Sequence, residues 1–337
     1  MNKKGFEIQF NWIFILIAGA MILMFFAVAV LKQKSASETS IKATALKSIE
    51  AIITGAGVST DTITTTKIPN INIEIGCNKV ALGGVSKQYQ NLILFSPEII
   101  KGDKLVTHAL ASSTPYRATN LLYMTSPKIR YILIGNNNLA WEINKSLPSE
   151  LNKEFYDKTA PSIVNNQNNY KVRFIIFDSN LNPNYLKNLQ KMQDSDVTAI
   201  KINGDLQTGQ VEFFQKDKSS WKSKGASKYL TKSSLLGAVY SDTLENYECN
   251  MENTFSRLKL VTKIYIDRTN DLRDTASAEN QIECVSIYDN SLVHLGTISG
   301  NSGEFKQGNK VNEIAGAADL LSEQNKEAQK FSCALIY

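Results

Sequence analysis

The architecture of this chain turns on "KIRYILIGNNNLAWEINKSLP", residues 128–148. "KIRYILIG" reads as a short apolar strand, and "NNNLAWEINKSLP" as a helix that ends at Pro148. The pattern then repeats. "YKVRFIIFD" (170–178) reads as a second strand, "SNLNPNYLKNLQKMQ" (179–193) as a helix, and "VTAIKIN" (197–203) as a third strand. Strand and helix in alternation predict a three-layer α/β module with a parallel sheet, residues 129–232. "GDLQTGQVEFFQK" (204–216) returns as a hairpin strand through Gly204 and Gly209.

Toward the N-terminus the period changes. "TITTTKIPNINIEIGCNKVALGG" (62–84) alternates Thr and Ile and turns at Gly83–Gly84. "NLILFSP" and "KLVTHALA" read as further strands, and "TPYRATNLLYMTSP" as a turn and short helix closed by Pro127. Residues 57–128 are therefore expected as a β-rich module. Toward the C-terminus, apolar residues recur at helical spacing from Leu236 to Tyr265, and again over 278–299 and 310–331. Residues 233–337 are expected as a helical cap, with the apolar "SCALIY" docked at its end.

Ahead of all this stands "KKGFEIQFNWIFILIAGAMILMFFAVAVLK", residues 3–32. No charge falls from Ile8 to Leu31, and 24 helical residues at about 1.5 Å each match a bilayer core of roughly 30 Å. The run exceeds the apolar core of a cleavable secretory signal, about 7–15 residues. Residues 8–31 are thus expected as a transmembrane helix after a cytoplasmic tail, 1–7. Residues 32–56, with Ile41, Ala45, Ile49, Ile52 and Ile53 at helical spacing, are expected as an amphipathic stalk. The flanking lysines are nearly balanced. The short tail and an even cysteine number place the C-terminal domain outside a cell membrane, on a single pass.

The four cysteines, Cys77, Cys249, Cys284 and Cys333, allow three pairings. Cys249–Cys333 is the favoured one, as a staple of the helical cap.

Hydrophobic residues make up 43% of the chain and charged ones 20%, which marks a folded protein. The net charge of +5 is dispersed and gives no reason to expect nucleic acid as a partner. Histidine is limited to His108 and His294, with no metal-ligand spacing, so no metal and no cofactor are expected. No G-x-S-x-G elbow occurs, and the Ser219/Lys222 spacing lacks its companion motifs. Asp178, Ser179 and Asn180 end a strand where α/β sheets gather ligands, but they equally suit a helix cap. Gly135 holds the equivalent place after the preceding strand, without dinucleotide spacing. Asn144-Lys145-Ser146 is a glycosylation sequon inside a helix. The most biased stretch is "QKDKSSWKSKGASKYLTKSS" (215–234). Lys216, Lys218, Lys222, Lys224, Lys228 and Lys232, interleaved with Trp221 and Tyr229, read either as a loop for an anionic partner or as a solvated linker.

"NKKGFEIQFNWIFILIAGAMILMFF", "KLVTHALASSTPYRATNLLYMTSPKIRYILIG" and "SCALIY" together resemble a group of uncharacterised single-pass surface proteins of small-genome, DPANN-type archaea. The resemblance spans most of the chain and implies a location and a lineage, with no activity. "KKG" followed by Phe6 and a long apolar helix also resembles a type IV prepilin, which implies a processing site between Gly5 and Phe6. The chain departs from that family at the fifth mature position, which holds Phe10 where Glu is expected; its acid, Glu7, stands second.

The expectation is therefore a membrane-anchored structural, adhesion or assembly protein and no enzyme. It would act by protein–protein contact through the membrane helix and stalk, with a lipid bilayer and further copies of itself as partners. A pilin-like filament subunit processed before Phe6 is the alternative, and an enzyme of unknown class the third.

Overall fold

A computed structural model describes the backbone of residues 4–89, 92–157, 164–177 and 180–337, with side chains in the first helix limited to 16–17, 19–28, 32–33, 40 and 42–55. Helix α1 runs unbroken from Lys4 to Val58. Three sheets follow. In the first, β1 (Thr62–Lys67), β7 (Lys104–Ser113) and β8 (Arg117–Thr125) are antiparallel neighbours, and the short β5 (Leu94–Phe95) lies parallel to β8. The second is a small antiparallel sheet in the order β4 (Val85–Gln88), β3 (Lys79–Leu82), β2 (Ile73–Gly76), β6 (Ile99–Ile100).

The third sheet is the largest. Its order is β10 (Asn152–Tyr156), β9 (Ile129–Ile134), β11 (Lys171–Phe177), β12 (Val197–Gly204), β13 (Thr208–Asp217), β14 (Ser220–Leu230). The first four strands are parallel and the last two form an antiparallel hairpin on them. Both faces of the parallel strands are covered, so β9 and β11 are buried at every residue.

Period-2 alternation sorts those residues between two cores. Tyr131, Leu133, Ile175, Phe177, Ile200 and Ile202 face the helices α2 (Asn138–Ser146), α3 (Thr231–Tyr240) and α4 (Leu244–Ala278). Ile132, Val172, Phe174, Ile176 and Ala199 face Tyr185, Leu186 and Leu189 instead. The expected three-layer module is corrected here. Among the described residues the far face carries no α-helix; the connection holds 3-10 turns over Pro183–Leu186, held by Asn182 accepting from the Asn184 amide, and over Asp194–Asp196.

Helix α3 and the start of α4 lie between the first and third sheets. Phe95, Tyr123, Tyr240 and Tyr247 stack across that layer, with Phe95 and Tyr123 centroids 5.9 Å apart and Tyr123 and Tyr240 5.1 Å apart. Gly237 permits the approach, because a Cβ there would lie 2.8 Å from the Phe95 ring. The rest of α4 bundles with α5 (Ile282–Ser302) and α6 (Lys310–Lys330).

The expected membrane anchor is also corrected. Among the described residues no helix is long and apolar enough to cross a membrane. A single-pass position in the cell membrane and the bilayer as partner therefore find no span among the described residues.

Two further expectations change. "TPYRATNLLYMTSP" is strand β8 rather than a turn and helix. The cysteines pair as Cys77–Cys249 and Cys284–Cys333, with Cα atoms 5.9 and 5.7 Å apart, not as Cys249–Cys333.

Candidate functional site

The two halves of α1 have opposite surroundings. Ala45, Leu46, Ile49 and Ile53 are buried, one turn apart along a stripe, and pack on both smaller sheets through Ile73, Val80, Leu105 and Met124. The stripe of the stalk therefore docks on the chain's own body. Glu50 pairs with Lys87 of β4, and Asn120 donates to the Ser59 carbonyl at 3.0 Å. These contacts fix the helix to the body on two sides.

The described side chains of the other half have no such cover. Leu16, Ile17, Met21, Ile22, Leu23, Met24, Phe25, Phe26 and Val28 are 47–72% exposed. At about 3.6 residues per turn these side chains point in every direction around the axis. An apolar girdle of this kind belongs in a protein interior, and contiguous exposed apolar surface on a monomer marks a place of contact. Leu16 stands roughly 40 Å along the axis from Ala45. Gly19 lies in the girdle with open space around its Cβ position. Gly5 and Phe6 fall in the first turns of the same helix, their side chains outside the described residues.

Where the docked half begins, a cleft of about 300 Å³ opens between α1 and the segment leading into β2. Its walls are Ile49, Ile52, Ile68, Ile71 and Leu82, and its rim is Ser40, Thr44 and Lys67. The sequence reading missed this cleft. Its one trace there is the "IPNINI" run, which supplies apolar side chains with too little alternation left to pair them in a sheet.

The lysine-rich stretch is not a loop. It is the β13–β14 hairpin, and strand alternation distributes its charges. Lys216 points inward, is buried, and bonds Asp194 and the Met192 carbonyl. Tyr229 is buried and donates to the Asp205 carbonyl at 2.7 Å. Trp221 packs edge-on against Phe174 at 5.5 Å, and Lys228 donates to Gln210 at 3.0 Å. Lys218 holds the turn with φ 56°, Lys222 and Lys224 are exposed on the sheet edge, and Lys232 begins α3. No single face gathers them. Exposed lysines on an outer strand blunt its free backbone groups against pairing with another chain.

The remaining candidates also resolve by position. Asp178 and Ser179 lie outside the described residues, while Asn180 comes within 3.5 Å of Lys201 Nζ. Gly135 serves close packing, since a Cβ there would lie 2.6 Å from that of Phe177. Ser219 and Lys222 are both exposed at the hairpin end, with no base enclosed beside them. Ser146 of the sequon donates to the Glu142 carbonyl inside α2. Among the described residues no three His, Cys, Asp or Glu side chains gather where they would hold a metal ion.

Cys77–Cys249 ties the β2–β3 turn to the start of α4, and Cys284–Cys333 ties the start of α5 to the C-terminal segment. No family model, no curated protein and no solved structure matches this chain.

Proposed function

We propose that this chain is a structural assembly subunit that acts by protein–protein contact and joins further copies of itself through the free half of α1. The observation that carries the reading is the girdle Leu16–Val28, exposed on a helix whose other half is fixed in the body. Its occupant is a second copy for two reasons. The run Ile8–Leu31 has no charge, so identical helices meet without like-charge repulsion. An apolar surface on every side of the helix needs more than one neighbour, and identical copies supply an unlimited number of matching surfaces.

Sedimentation velocity of the full chain tests this. The expected result is an oligomer that becomes monomeric in Leu23→Glu/Phe26→Glu, with an unchanged circular dichroism spectrum. A monomeric wild type overturns the reading. So does a variant that assembles as before, or a chain that stays monomeric and floats with phosphatidylcholine vesicles.

A second, narrower reading is a pilin-like filament subunit cut between Gly5 and Phe6. The continuous helix, half free and half docked on β-sheet, favours it. Bundling would then use the girdle alone, because the stalk stripe is already buried. N-terminal sequencing of native protein decides it: Phe6 as first residue supports the filament, Met1 or Asn2 removes it.

A further inference from the structure

Strand β1 is the outer strand of the first sheet, with β7 on one side and no strand on the other. It reads TITTTK, and every residue but Thr66 is exposed. The residues before Lys67 are all β-branched and uncharged. On the outer strand β14, the exposed Lys222 and Lys224 blunt the edge. The middle of β1 has no such guard, and an unguarded edge is a template for another strand.

The register with β7 shows which backbone groups are free. Ile68 continues that ladder opposite Asp103 and donates its amide to the Asp103 carbonyl at 2.9 Å. Backbone direction alternates along an antiparallel strand. Thr62, Thr64 and Thr66 therefore turn their amides and carbonyls toward β7. The Thr107 hydroxyl of β7 accordingly reaches the Thr64 carbonyl at 3.4 Å. Ile63 and Thr65 turn theirs outward, to the side on which no further strand of the sheet stands.

We propose that β1 pairs with β1 of a second copy, antiparallel, about a two-fold axis through Thr64. Outward groups meet only outward groups, so Ile63 lies opposite an odd-numbered residue of the second strand. Charge selects among those registers. With Thr64 on the axis, Ile63 faces Thr65 of the second copy, Thr62 faces Thr66, and Asp61 comes opposite Lys67 at both ends. Both charges are exposed, and Asp61 also lines the cleft beside His108. Among the described residues neither is in an ion pair within the chain. Moving the axis by one residue sets Lys67 against Ile63, or Asp61 against Thr65, and loses both charge pairs. Opposite charges and β-branched pairs on facing strands both stabilise a sheet. The strand is thus complementary to itself, which makes its occupant a second copy.

This contact rests on the assembly through α1 proposed above. Six residues at about 3.3 Å each make a seam of roughly 20 Å, one strand wide. That is well short of the roughly 1,200–2,000 Å² that a stable interface buries. Strand β1 therefore joins copies that α1 already holds together, where their local concentration is high.

Disulfide trapping in the assembled full chain tests the pairing. The four native cysteines are paired, so Thr64→Cys adds a single free thiol. On the axis, the two Cα atoms at position 64 stand about 4.5 Å apart, within disulfide reach. Thr65→Cys is the control, because its two copies are diagonal neighbours about 7–8 Å apart, beyond that reach. Mild oxidation and non-reducing peptide maps should show a dimer linked through position 64 in Thr64→Cys and loss of that dimer in Thr65→Cys. Adding Thr65→Pro to Thr64→Cys removes an outward amide from each copy and no bond to β7. Linking should then slow about tenfold, with the thermal midpoint unchanged. An assembly by sedimentation that yields no link at position 64 overturns the pairing and leaves the α1 contact standing. Equal linking in Thr65→Cys overturns the Thr64 axis. A monomeric wild type overturns the α1 contact, and this pairing with it.

Discussion

Arg173, fully buried on β11, donates Nε to the Val239 carbonyl and Nη2 to the Ala238 carbonyl, both at 2.7 Å. A strand thereby closes the C-terminus of α3, whose last carbonyls would otherwise lack partners. The third arm of the guanidinium reaches Thr198 Oγ1 at 2.9 Å, and the Lys171–Asp242 pair lies alongside. Burial pulls the Arg173 guanidinium down to about 10, still charged at neutral pH.

Removing this cap should be costly. Arg173→Met leaves two buried carbonyls unsatisfied, and an expected loss of about 2–4 kcal/mol follows. Arg173→Lys keeps the charge but not the fork, and should fall between. Urea unfolding measures both; a loss within about 0.5 kcal/mol for Arg173→Met would show that α3 is held by packing alone.

The disulfides staple different parts of the body. Cys284–Cys333 closes a sequence separation of 49 and Cys77–Cys249 one of 172. Loop-closure entropy then predicts stabilisation of about 4 and about 5 kcal/mol respectively. Reduction should lower the thermal midpoint sharply, and each Cys-to-Ala double variant should lower it in part. Non-reducing peptide maps should recover those two links; a Cys249–Cys333 peptide would contradict the pairing.

His108 makes stability depend on pH. Burial lowers its pKa from 6.5 to about 4, opposed by the nearby carboxylate of Asp61. The unfolded chain therefore binds more protons than the folded one between those values. The stability tied to neutral His108 is complete above about pH 6.5 and is lost as pH falls toward 4, by up to about 3 kcal/mol. Asp61, Lys232 and Tyr123 are the other titratable groups around it. His108→Gln should flatten this part of the profile in urea midpoints measured from pH 7 to 4. An identical slope in the variant would assign the acid sensitivity to carboxylates elsewhere.

The strands of the largest sheet were legible because burial on both faces leaves mostly apolar runs, as in Ile129–Ile134 and Lys171–Phe177, interrupted by Arg130, Lys171 and Arg173. Strand β8 was not, because its first four residues are half-buried or exposed and its last five fully buried, which erases period-2 alternation. Pro127 then looks like a helix stop when it only ends a strand. Residues 179–193 carry Tyr185, Leu186 and Leu189 at helical spacing, yet Pro183 after Asn182 starts a tight turn instead. Lys216 and Tyr229 seemed part of a solvated run, although strand alternation sends both inward. The cleft beside His108 was invisible, since its lining comes from four separate segments and one histidine in a strand announces nothing.

The sharpest test uses the two halves of α1 against each other. Ile49 is 1% exposed and packs among Ile73, Leu82 and Leu105, whereas Leu23 is 72% exposed. Both are branched aliphatic side chains on one helix, so helix propensity differs little between them. Ile49→Ala empties a packed site and should destabilise the body by about 2–4 kcal/mol. Leu23→Ala removes nothing from any core and should change unfolding of the body by no more than about 0.5 kcal/mol. Assembly should respond in the opposite order. Leu23→Ala should raise the concentration at which copies dissociate, and Ile49→Ala should leave it unchanged while the body remains folded. The measurements are urea unfolding followed by tyrosine fluorescence and sedimentation equilibrium across a dilution series. Equal destabilisation by both substitutions would mean that Leu16–Val28 is buried against the chain's own body, and the girdle would then have no free surface to offer a second copy.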